Sequence, residues 1–346
     1  MTMRPKLPFL SPDTIERIVA EAYDLLSDPG VRVHSDRALH LLAEHGAEVD
    51  FEARVVHIPA DLARQAVGTA PSSFYLYDMG GQPAVHYGDD DVHFDPGSAA
   101  IEILDHGAKR SRPPVTADFV RFIKLADGLD ALDAVATSLV CADVPQEIAD
   151  LYRLYLVLLH TRKPVVTGAF AIETWGVMKD LLVAVAGSEE VLADKPIAVF
   201  DVCPSPPLLW SDITCENLMD CARYRVPAEL VSMPLTGATG PATLLGAVVQ
   251  HAAENLSGVT IHQLVNPGAP IVWGLTTSWL TQAPTWGRER KRESTASPGH
   301  LIGLSIGPRP SPPPSRWRLL PARARVWDTA SSNLARSSLD APFRNG

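Results

Sequence analysis

The sequence predicts an α/β fold in which helices connect the strands of a parallel sheet. After Val115, short apolar runs alternate with longer amphipathic stretches, and this alternation is typical of repeated strand–helix units. The short runs are continuously apolar, as expected for strands that a parallel sheet buries on both faces. With 346 residues, 46% of them hydrophobic, the chain is long enough to bury the core of such a sheet.

Residues 1–114 are predicted to form a cap of mixed structure. Its first helix follows Ser11 or Asp13 as N-cap and ends near Gly30. In residues 83–105, strand-like runs separated by Gly, Asp and Pro predict a meander that lies over a larger unit: PAVHYG, DVHFDPG and IEILD. The other predicted elements are helices at Ser35–His45 and Pro59–Val67 and strands at Ala53–Ile58 and Phe74–Tyr77.

Residues 115–274 carry the strand–helix repeat. Amphipathic stretches predict the connecting helices IADLYRLYLVLLH, TWGVMKDLLVAVAG, DITCENLMDCARY and TLLGAVVQHAAENLSGVTIHQLV. The five strands are predicted at Ala134–Val140, Pro164–Phe170, Ile197–Cys203, Glu229–Leu235 and Pro270–Gly274. Right-handed crossovers between such strands give either a doubly wound sheet or an eight-stranded barrel. No GxGxxG loop follows the first strand, so a dinucleotide-binding sheet lacks its best support.

Residues 275–346 differ in composition from the rest of the chain. They carry 11 Lys and Arg against 4 Asp and Glu, a net charge of +7, whereas residues 1–274 carry a net charge of −17. They also hold 9 of the 30 prolines, and proline removes ladder donors and breaks helices. We therefore predict an irregular, mostly disordered tail. Two explanations are open: a proline-rich linker, or a translational frame change near codon 275, since out-of-frame reading of a GC-rich gene enriches Arg, Pro, Ser and Ala.

Composition and charge exclude several classes of function. No apolar stretch reaches the roughly 18 residues of a membrane span, and the N-terminus lacks the apolar core of a signal peptide, so we expect a cytoplasmic protein. A net charge of −10 argues against a nucleic acid partner, because phosphate binding needs a basic surface. The four cysteines show no CxxC spacing, so the sequence predicts neither a disulfide framework nor a zinc site.

Several separate motifs before residue 275 resemble one known family. They are DPGSAAIEILD with the following TADFVRFIKLADGL, then LYRLYLVLLHTRKPVVTGAF, SMPLTGATGPATLLGAVVQHAAENLSGV and QLVNPGAPIVWG. By these motifs the chain is similar, from about Leu10 to Gly274, to the trimethylamine methyltransferase family, which also includes betaine methyltransferases. Residues 275–346 do not match the family.

The resemblance implies a TIM (β/α)₈-type barrel, which we expect to be truncated after about five strands. It implies a methyltransferase of methylamine metabolism and methanogenesis that moves a methyl group from trimethylamine, glycine betaine or a related methylated amine to the cobalt of a corrinoid. A separate corrinoid protein would carry that cofactor, none being bound directly, and a homo-oligomer is an open option. Two alternatives stand beside this hypothesis: a truncated, inactive fragment whose sheet cannot close, and a binding protein of the family without catalysis.

The carboxyl ends of the predicted strands carry candidate substrate-binding residues, because a barrel places its chemistry there. A quaternary ammonium has no proton to donate, so its site needs a carboxylate and aromatic faces, each worth about 0.5 to 2 kcal/mol. Asp201, in the segment DVCPSPPLLW, is the candidate counter-charge. The candidate aromatic faces are Phe94, Phe170 and Trp210. The alternative interpretation places Phe170 in the barrel core and Trp210 over a helix.

The loop MPLTGATGPAT supplies two further candidates, Thr236 and Gly237. Its backbone N–H groups and the positive end of the following helix suit a carboxylate such as that of a betaine. A tight turn needs glycine in any case, and Thr236 and Thr239 are equally candidate helix caps.

His251 and Glu254 stand three apart on the helix after that loop, a spacing found in metal sites. That helix is predicted to lie outside the barrel with its polar face in solvent, so we predict no metal site. No catalytic residue is assigned either. Displacement at a methyl carbon with a neutral amine as leaving group depends on orientation and exclusion of water more than on acids or bases.

Overall fold

The cap at the start of the chain contains the predicted helices and two short strands that the sequence did not reveal. The computed structural model of the protein describes residues 8–105, 107, 110–279, 299–301 and 326–327, with side chains described up to residue 274. The Ser11 and Ser35 hydroxyls cap the first two helices by accepting hydrogen bonds from backbone N–H groups. The elements are α1 (Pro12–Ser27), β1 (Val31–Val33), α2 (Asp36–Glu44), β2 (Glu48–Asp50), β3 (Val55–His57) and α3 (Ala60–Thr69). The three predicted helices are confirmed, whereas β1 and β2 are too short to show a periodic pattern.

Two antiparallel hairpins follow: β4 (Phe74–Tyr77) with β5 (Pro83–Tyr87), and β6 (Ile103–Leu104) with β7 (Ser111–Arg112). The predicted strand over residues 74–77 is confirmed. The predicted meander is wrong in its middle, because the run DVHFDPG forms a loop without strand pairing. Pro96 offers no N–H to a ladder, and Gly97 has a φ of +72° that extended strands do not adopt.

The second part of the chain alternates strands and helices as predicted. Its strands are β8 (Val135–Ala136), β9 (Val165–Thr167), β10 (Ala198–Val202), β11 (Leu209–Trp210), β12 (Ala228–Ser232), β13 (Leu235–Thr236) and β14 (Ile271–Trp279). Its helices are α4 (Thr116–Asp127), a short 3₁₀ helix (Gln146–Ile148), α5 (Ala149–His160), α6 (Ile172–Ala186), α7 (Glu189–Asp194), α8 (Asp212–Tyr224) and α9 (Leu244–Val265). All five predicted strands and their connecting helices are confirmed, and α7 is an additional helix.

Strands β8, β9, β10, β12 and β14 form a parallel sheet whose neighbours follow chain order. Sequential order with right-handed crossovers carries every connection over the same face. The helices pack on that face, where Val165, Phe200 and Leu230 belong to the main core. The opposite face, with Val166 and Val199, packs against the β4–β5 hairpin in a second, smaller core. The α/β fold with a parallel sheet is thus confirmed, and the hairpin covers the face that the helices leave open.

Helix α9 lies in the interior of the molecule. It packs against α1, α3 and α8 and against β12. Its polar side chains are buried, His251 being 2% and Glu254 0% exposed, so the predicted solvent-facing polar side is wrong. The cap causes this burial, because its helices cover the face of α9 that a barrel without a cap would expose. The cap also shares a sheet with the second part of the chain, since β11 pairs in parallel with β1.

Strand β14 runs to Trp279, five residues beyond its predicted end at Gly274. β15 (Gly299–Leu301) pairs antiparallel with β14, and β16 (Val326–Trp327) pairs antiparallel with β15. The rest of the predicted irregular tail lies outside the described residues. Within the described part of the chain, no helix combines the length and apolar character that a membrane crossing requires. The four cysteines are free thiols.

Candidate functional site

Three carboxyl groups converge on the hairpin-covered face of the parallel sheet. Asp201 and Glu229 occupy the same register position on the neighbouring strands β10 and β12, and adjacent strands lie about 4.8 Å apart. Both point to the face that carries Val199, which precedes Asp201 by two residues. Asp95, from the loop after β5, lies close enough to perturb the ionisation of both. Asp95, Asp201 and Glu229 are called the carboxyl cluster below.

The carboxyl cluster binds protons more tightly than free carboxyl groups do. Burial, and then the neighbouring Asp95 carboxylate, raise the pKa of Asp201 to about 7. Burial, Asp201 and Asp95 together raise the pKa of Glu229 well above its ordinary value. Burial also raises the pKa of Asp95, against the opposing effect of the Gly97 N–H, which donates to it at 2.7 Å. Near neutral pH the cluster therefore holds protons that a bound cation can replace.

The loop at residues 95–100 holds the third carboxyl group against the sheet. Ser98 Oγ donates a hydrogen bond to Asp201 Oδ2 at 3.4 Å. The next residue, Ala99, donates its N–H to the Thr137 carbonyl at 3.4 Å, just after β8. Ala99 has a φ of +66°, a left-handed conformation that costs a residue with a Cβ roughly 1–2 kcal/mol. The loop thus carries backbone strain where it crosses the carboxyl ends of the strands, and such strain clusters at functional sites.

Arg153 of α5 brings a positive charge to the same end of the sheet. It is 1% exposed, and its Nη1 donates to the Thr137 carbonyl at 2.7 Å. The guanidinium carbon lies 4.2 Å from the centre of the Phe170 ring. Burial lowers the pKa of Arg153 to about 10, against the attraction of nearby acidic groups, Asp150 foremost. The guanidinium therefore remains charged at neutral pH.

Tyr87, the last residue of β5, places an aromatic ring at the carboxyl cluster. Burial, and then the charges of Glu229, Asp95 and Asp201, raise the pKa of its phenol well above the ordinary value. The ring stacks on that of Phe74 with 5.0 Å between the centroids, which fixes its position. An aromatic face beside negative charge is the pair of features that a quaternary ammonium requires.

The structure places the predicted site residues in different surroundings. Asp201 lies in the carboxyl cluster. Phe94 lies in the adjoining loop, where its backbone N–H donates to Asp133 Oδ2 at 2.9 Å. Phe170 is 46% exposed, so the alternative that placed it in the core is wrong, and Arg153 covers one face of its ring.

Trp210 lies on the helix side of the sheet, away from the carboxyl cluster. It is 0% exposed, and its indole N–H donates to Ser257 Oγ of α9 at 2.8 Å. A Cβ built on Gly258 would lie 2.7 Å from the Trp210 ring, which shows how closely ring and helix pack. The structure thus agrees with the alternative interpretation, in which Trp210 covers a helix.

The loop after β12 satisfies its own backbone donors. Gly237 has a φ of +83°, and its N–H donates to the carbonyls of Gly240 and Pro241, both at 3.1 Å. The N–H groups of residues 238–240 all donate to the Leu235 carbonyl, so these groups are not available to a carboxylate. Thr236 is buried, with no hydrogen-bond partner for its hydroxyl among the described residues. The N-cap of α9 is Thr243, which corrects the prediction of Thr236 or Thr239.

Sequence reasoning missed Asp95, Glu229, Arg153 and Tyr87. A charged residue inside an otherwise apolar strand was the available signal for Glu229, because such residues are seldom buried without a functional or structural partner. Arg153, in the apolar run LYRLYLVLL, carried the same signal. Asp95 stands before Pro-Gly, where an aspartate is ordinary turn chemistry, so no local pattern distinguished it.

Two other kinds of site are relevant to the described residues, a metal centre and a surface groove. No group of three or more His, Cys, Asp or Glu side chains among them is arranged to hold a metal ion. A surface groove of about 560 Å³ lies between α2 and α8, lined in part by Arg37, His40 and Arg223. It opens on the cap rather than at the carboxyl ends of the strands, where a barrel places its chemistry, so we assign it no part in the site.

Comparisons with known proteins give a consistent result. The sequence profile described as "Trimethylamine methyltransferase (MTTB)" matches residues 1–301. The chain is 28% identical to trimethylamine methyltransferase MttB of Desulfitobacterium hafniense over 268 residues, 78% of this chain and 54% of that protein. It is 30% identical to MttB of Methanosarcina barkeri over 285 residues, 79% of this chain and 56% of that protein.

A relative with another substrate in its name is also similar. The glycine betaine methyltransferase of Desulfitobacterium hafniense is 26% identical over 275 residues, 79% of this chain and 57% of that protein. Among solved structures, the monomethylamine methyltransferase of Methanosarcina barkeri aligns with a TM-score of 0.45 and 10% identity, over 78% of this chain and 55% of that one. The chain spans about half the length of the curated relatives it matches.

Proposed function

The chain belongs to the trimethylamine methyltransferase family, and from this premise we propose that it takes part in methyl transfer from a methylated amine to the cobalt of a corrinoid protein. Trimethylamine, glycine betaine and related amines are the proposed methyl donors. Support comes from the relatives, which are named for trimethylamine and for glycine betaine. Because the chain spans about half the length of these relatives, the activity, substrate and partner are all part of the proposal.

The carboxyl cluster is the observation that carries the proposal. In the free protein, bound protons neutralise the carboxyl cluster. A methylated ammonium cation that binds at the cluster would replace those protons as the source of positive charge. The Tyr87 ring adds an aromatic face, worth about 0.5 to 2 kcal/mol toward a quaternary ammonium. A neutral ligand would gain neither contribution, so the site selects for cationic amines.

The proposed reaction asks these residues to bind and orient the amine and to exclude water. Trimethylamine enters this step as trimethylammonium and a betaine as its quaternary ammonium. The C–N bond of the cation breaks with its electron pair on nitrogen while the methyl group passes to the acceptor, so the amine departs neutral and needs no proton donor. The β4–β5 hairpin covers the face of the sheet on which the amine would bind, which limits access of water. Once neutral, the product loses its attraction to Asp201 and Glu229, and this loss favours its release.

The described residues fit an ammonium site better than a corrinoid site. The carboxyl cluster offers oxygen ligands of raised pKa, whereas the two most buried imidazoles, His251 and His262, lie on α9 in the helix layer behind the sheet. We therefore assign the corrinoid to a partner protein and assign no residue of this chain to it.

We also propose that the parallel sheet is part of a (β/α)₈-type barrel. A doubly wound sheet has helices on both faces and a strand order that reverses at a switch point. In this chain the parallel strands follow chain order, and helices cover one face while a hairpin covers the other. This arrangement matches the outer and inner faces of a barrel.

Calorimetric titration of the full 346-residue chain with tetramethylammonium tests the ammonium site. This probe has no titrating proton, so any pH dependence belongs to the protein. We expect binding to be about tenfold weaker at pH 6 than at pH 8, because Asp201 holds its proton at the lower pH. Asp201→Asn should weaken binding at pH 8 and reduce the pH dependence, whereas Asp130→Asn, at an exposed turn, should change neither.

Turnover is then measured by loss of methyl groups from trimethylamine and from glycine betaine in the presence of a reduced corrinoid protein. Binding with turnover supports the proposal in full. Binding without turnover would identify the chain as a binding protein of the family. Absence of binding, or an affinity that Asp201→Asn leaves unchanged, would overturn the ammonium site.

A further inference from the structure

Arg153 is a buried cation that has no ion-pair partner among the described residues. It is 1% exposed, and the hydrogen bond it makes to the described part of the chain is the 2.7 Å contact from Nη1 to the Thr137 carbonyl. Its Nε is buried and has no hydrogen-bond partner in the described part of the chain. No described carboxylate oxygen lies within the 4.0 Å of an ion pair. Burying a charge in this way is costly unless an anion joins it.

Asp150, the nearest acidic residue on α5, does not serve as that anion. Its Oδ2 accepts hydrogen bonds from the Phe170 N–H at 2.7 Å and from the Thr174 hydroxyl. Its Oδ1 accepts the Leu151 N–H at 2.7 Å. Asp150 is thus occupied by neutral donors, and Arg153 Nε keeps no hydrogen-bond partner among the described residues.

The guanidinium and the carboxyl cluster are joined by two adjacent residues. Ser98 donates to Asp201, and Ala99 donates to the Thr137 carbonyl, which also accepts from Arg153. A positive and a negative subsite therefore lie at the two ends of one short loop segment. A small molecule with an ammonium at one end and an anionic group at the other would present the two opposite charges that these subsites require.

We propose that Arg153 is a specificity-determining residue that binds a carboxylate of the substrate, so that the site takes zwitterionic quaternary ammonium carboxylates in preference to amines without an anionic group. The inference rests on the proposed function, because the ammonium is placed at the carboxyl cluster. The planar guanidinium offers two parallel donors to a carboxylate. The Phe170 ring, 46% exposed, lies over one face of the guanidinium, whereas a carboxylate would bind the donors at its edge.

Two probes of similar size separate the subsites. Glycine betaine and choline share the trimethylammonium group, and choline carries a hydroxyl where betaine carries a carboxylate. Calorimetry of the full chain should give a dissociation constant for betaine about tenfold lower than that for choline. In Arg153→Gln, the ratio of the choline dissociation constant to the betaine dissociation constant should fall close to one. Arg153→Lys keeps the positive charge and loses the two parallel donors, so its ratio should lie between those of wild type and Arg153→Gln.

Controls distinguish this inference from the proposed function. Arg17→Gln, at an exposed position of α1, should leave both constants unchanged, and Asp201→Asn should weaken both probes together. If wild-type protein binds choline as tightly as betaine, while Asp201→Asn still weakens choline, the Arg153 inference is overturned and the ammonium site stands. A wild-type preference for betaine that survives in both Arg153 variants also overturns it. Should Arg153→Gln not fold, the Arg153→Lys ratio decides.

Discussion

Asp201 of β10 and Glu229 of β12 face each other at the same register position of a parallel sheet, with Asp95 beside them. Burial disfavours the ionised form of both carboxyl groups, and neighbouring carboxylates repel when they are ionised together. The protein therefore retains protons at this point near neutral pH, and the stability of the fold and the affinity for a cation depend on the same groups.

The first prediction concerns this coupling. The pKa of Asp201 is about 7 in the folded protein and 3.8 ordinarily, so the unfolded chain releases the proton at lower pH. Wild-type protein should lose stability relative to Asp201→Asn as pH rises from about 4 to 8, by on the order of 4 kcal/mol, and no further above that range. Urea unfolding of both proteins at unit steps of pH measures the difference. A difference that stays constant over this range would contradict the assignment.

The second prediction concerns acid lability. His251 donates to the Gly274 carbonyl at 2.9 Å, and burial lowers its pKa to about 4 from 6.5. Protonation therefore favours the unfolded chain, and stability present above pH 6.5 is lost as pH falls toward 4. Relative to His251→Gln, wild-type protein should lose at most roughly 3 kcal/mol over that interval. Denaturant unfolding at pH 7, 6, 5 and 4 checks this, and a gain in relative stability on acidification would refute it.

The third prediction concerns the packing of α9. A Cβ on Gly258 would lie 2.7 Å from the Trp210 ring and 2.9 Å from Leu230 Cδ1. Gly258→Ala should therefore destabilise the protein by about 1–3 kcal/mol through overpacking, despite the better helix propensity of alanine. Gly176→Ala in α6 meets nothing within 4 Å and should instead stabilise by about 0.5–1 kcal/mol. Thermal unfolding of the two variants measures both changes in stability. Changes of the same sign would contradict the packing of Gly258 against Trp210.

The fourth prediction concerns Glu254, which accepts hydrogen bonds from Leu208 N–H at 2.9 Å, Gln250 Nε2 at 2.8 Å and the Ser232 hydroxyl. Glu254→Ala leaves these donors unsatisfied and opens a cavity, so it should cost roughly 2–4 kcal/mol. Glu254→Gln keeps one acceptor oxygen and the volume, so it should cost much less. The exposed Glu21→Ala on α1 serves as control in denaturant unfolding. Equal costs for the two Glu254 variants would show that loss of the second carboxylate oxygen, rather than loss of volume, governs the position.

Local sequence patterns were sufficient for most of the secondary structure. The hydrophobic period separated the five strands from their helices, and Ser11 marked a helix start through its hydroxyl. These features depend on residues near one another in the chain, which is why they can be read without a structure. The elements that the sequence did not predict were short strands such as β1, whose three residues are too few to show a hydrophobic period.

The site and the position of α9 depended on long-range packing. The sequence by itself determined the alternation of strands and helices, the family resemblance and the presence of Asp201 in an apolar strand. Only the tertiary structure decided that Glu229 stands in register with Asp201 and that the cap buries His251 and Glu254. It also decided that Arg153 is buried near Asp201 with no ion-pair partner in the described part of the chain. The physical reason is that burial and ionisation respond to every group that surrounds a side chain in space, and strand register and cap packing bring together residues that are far apart in sequence.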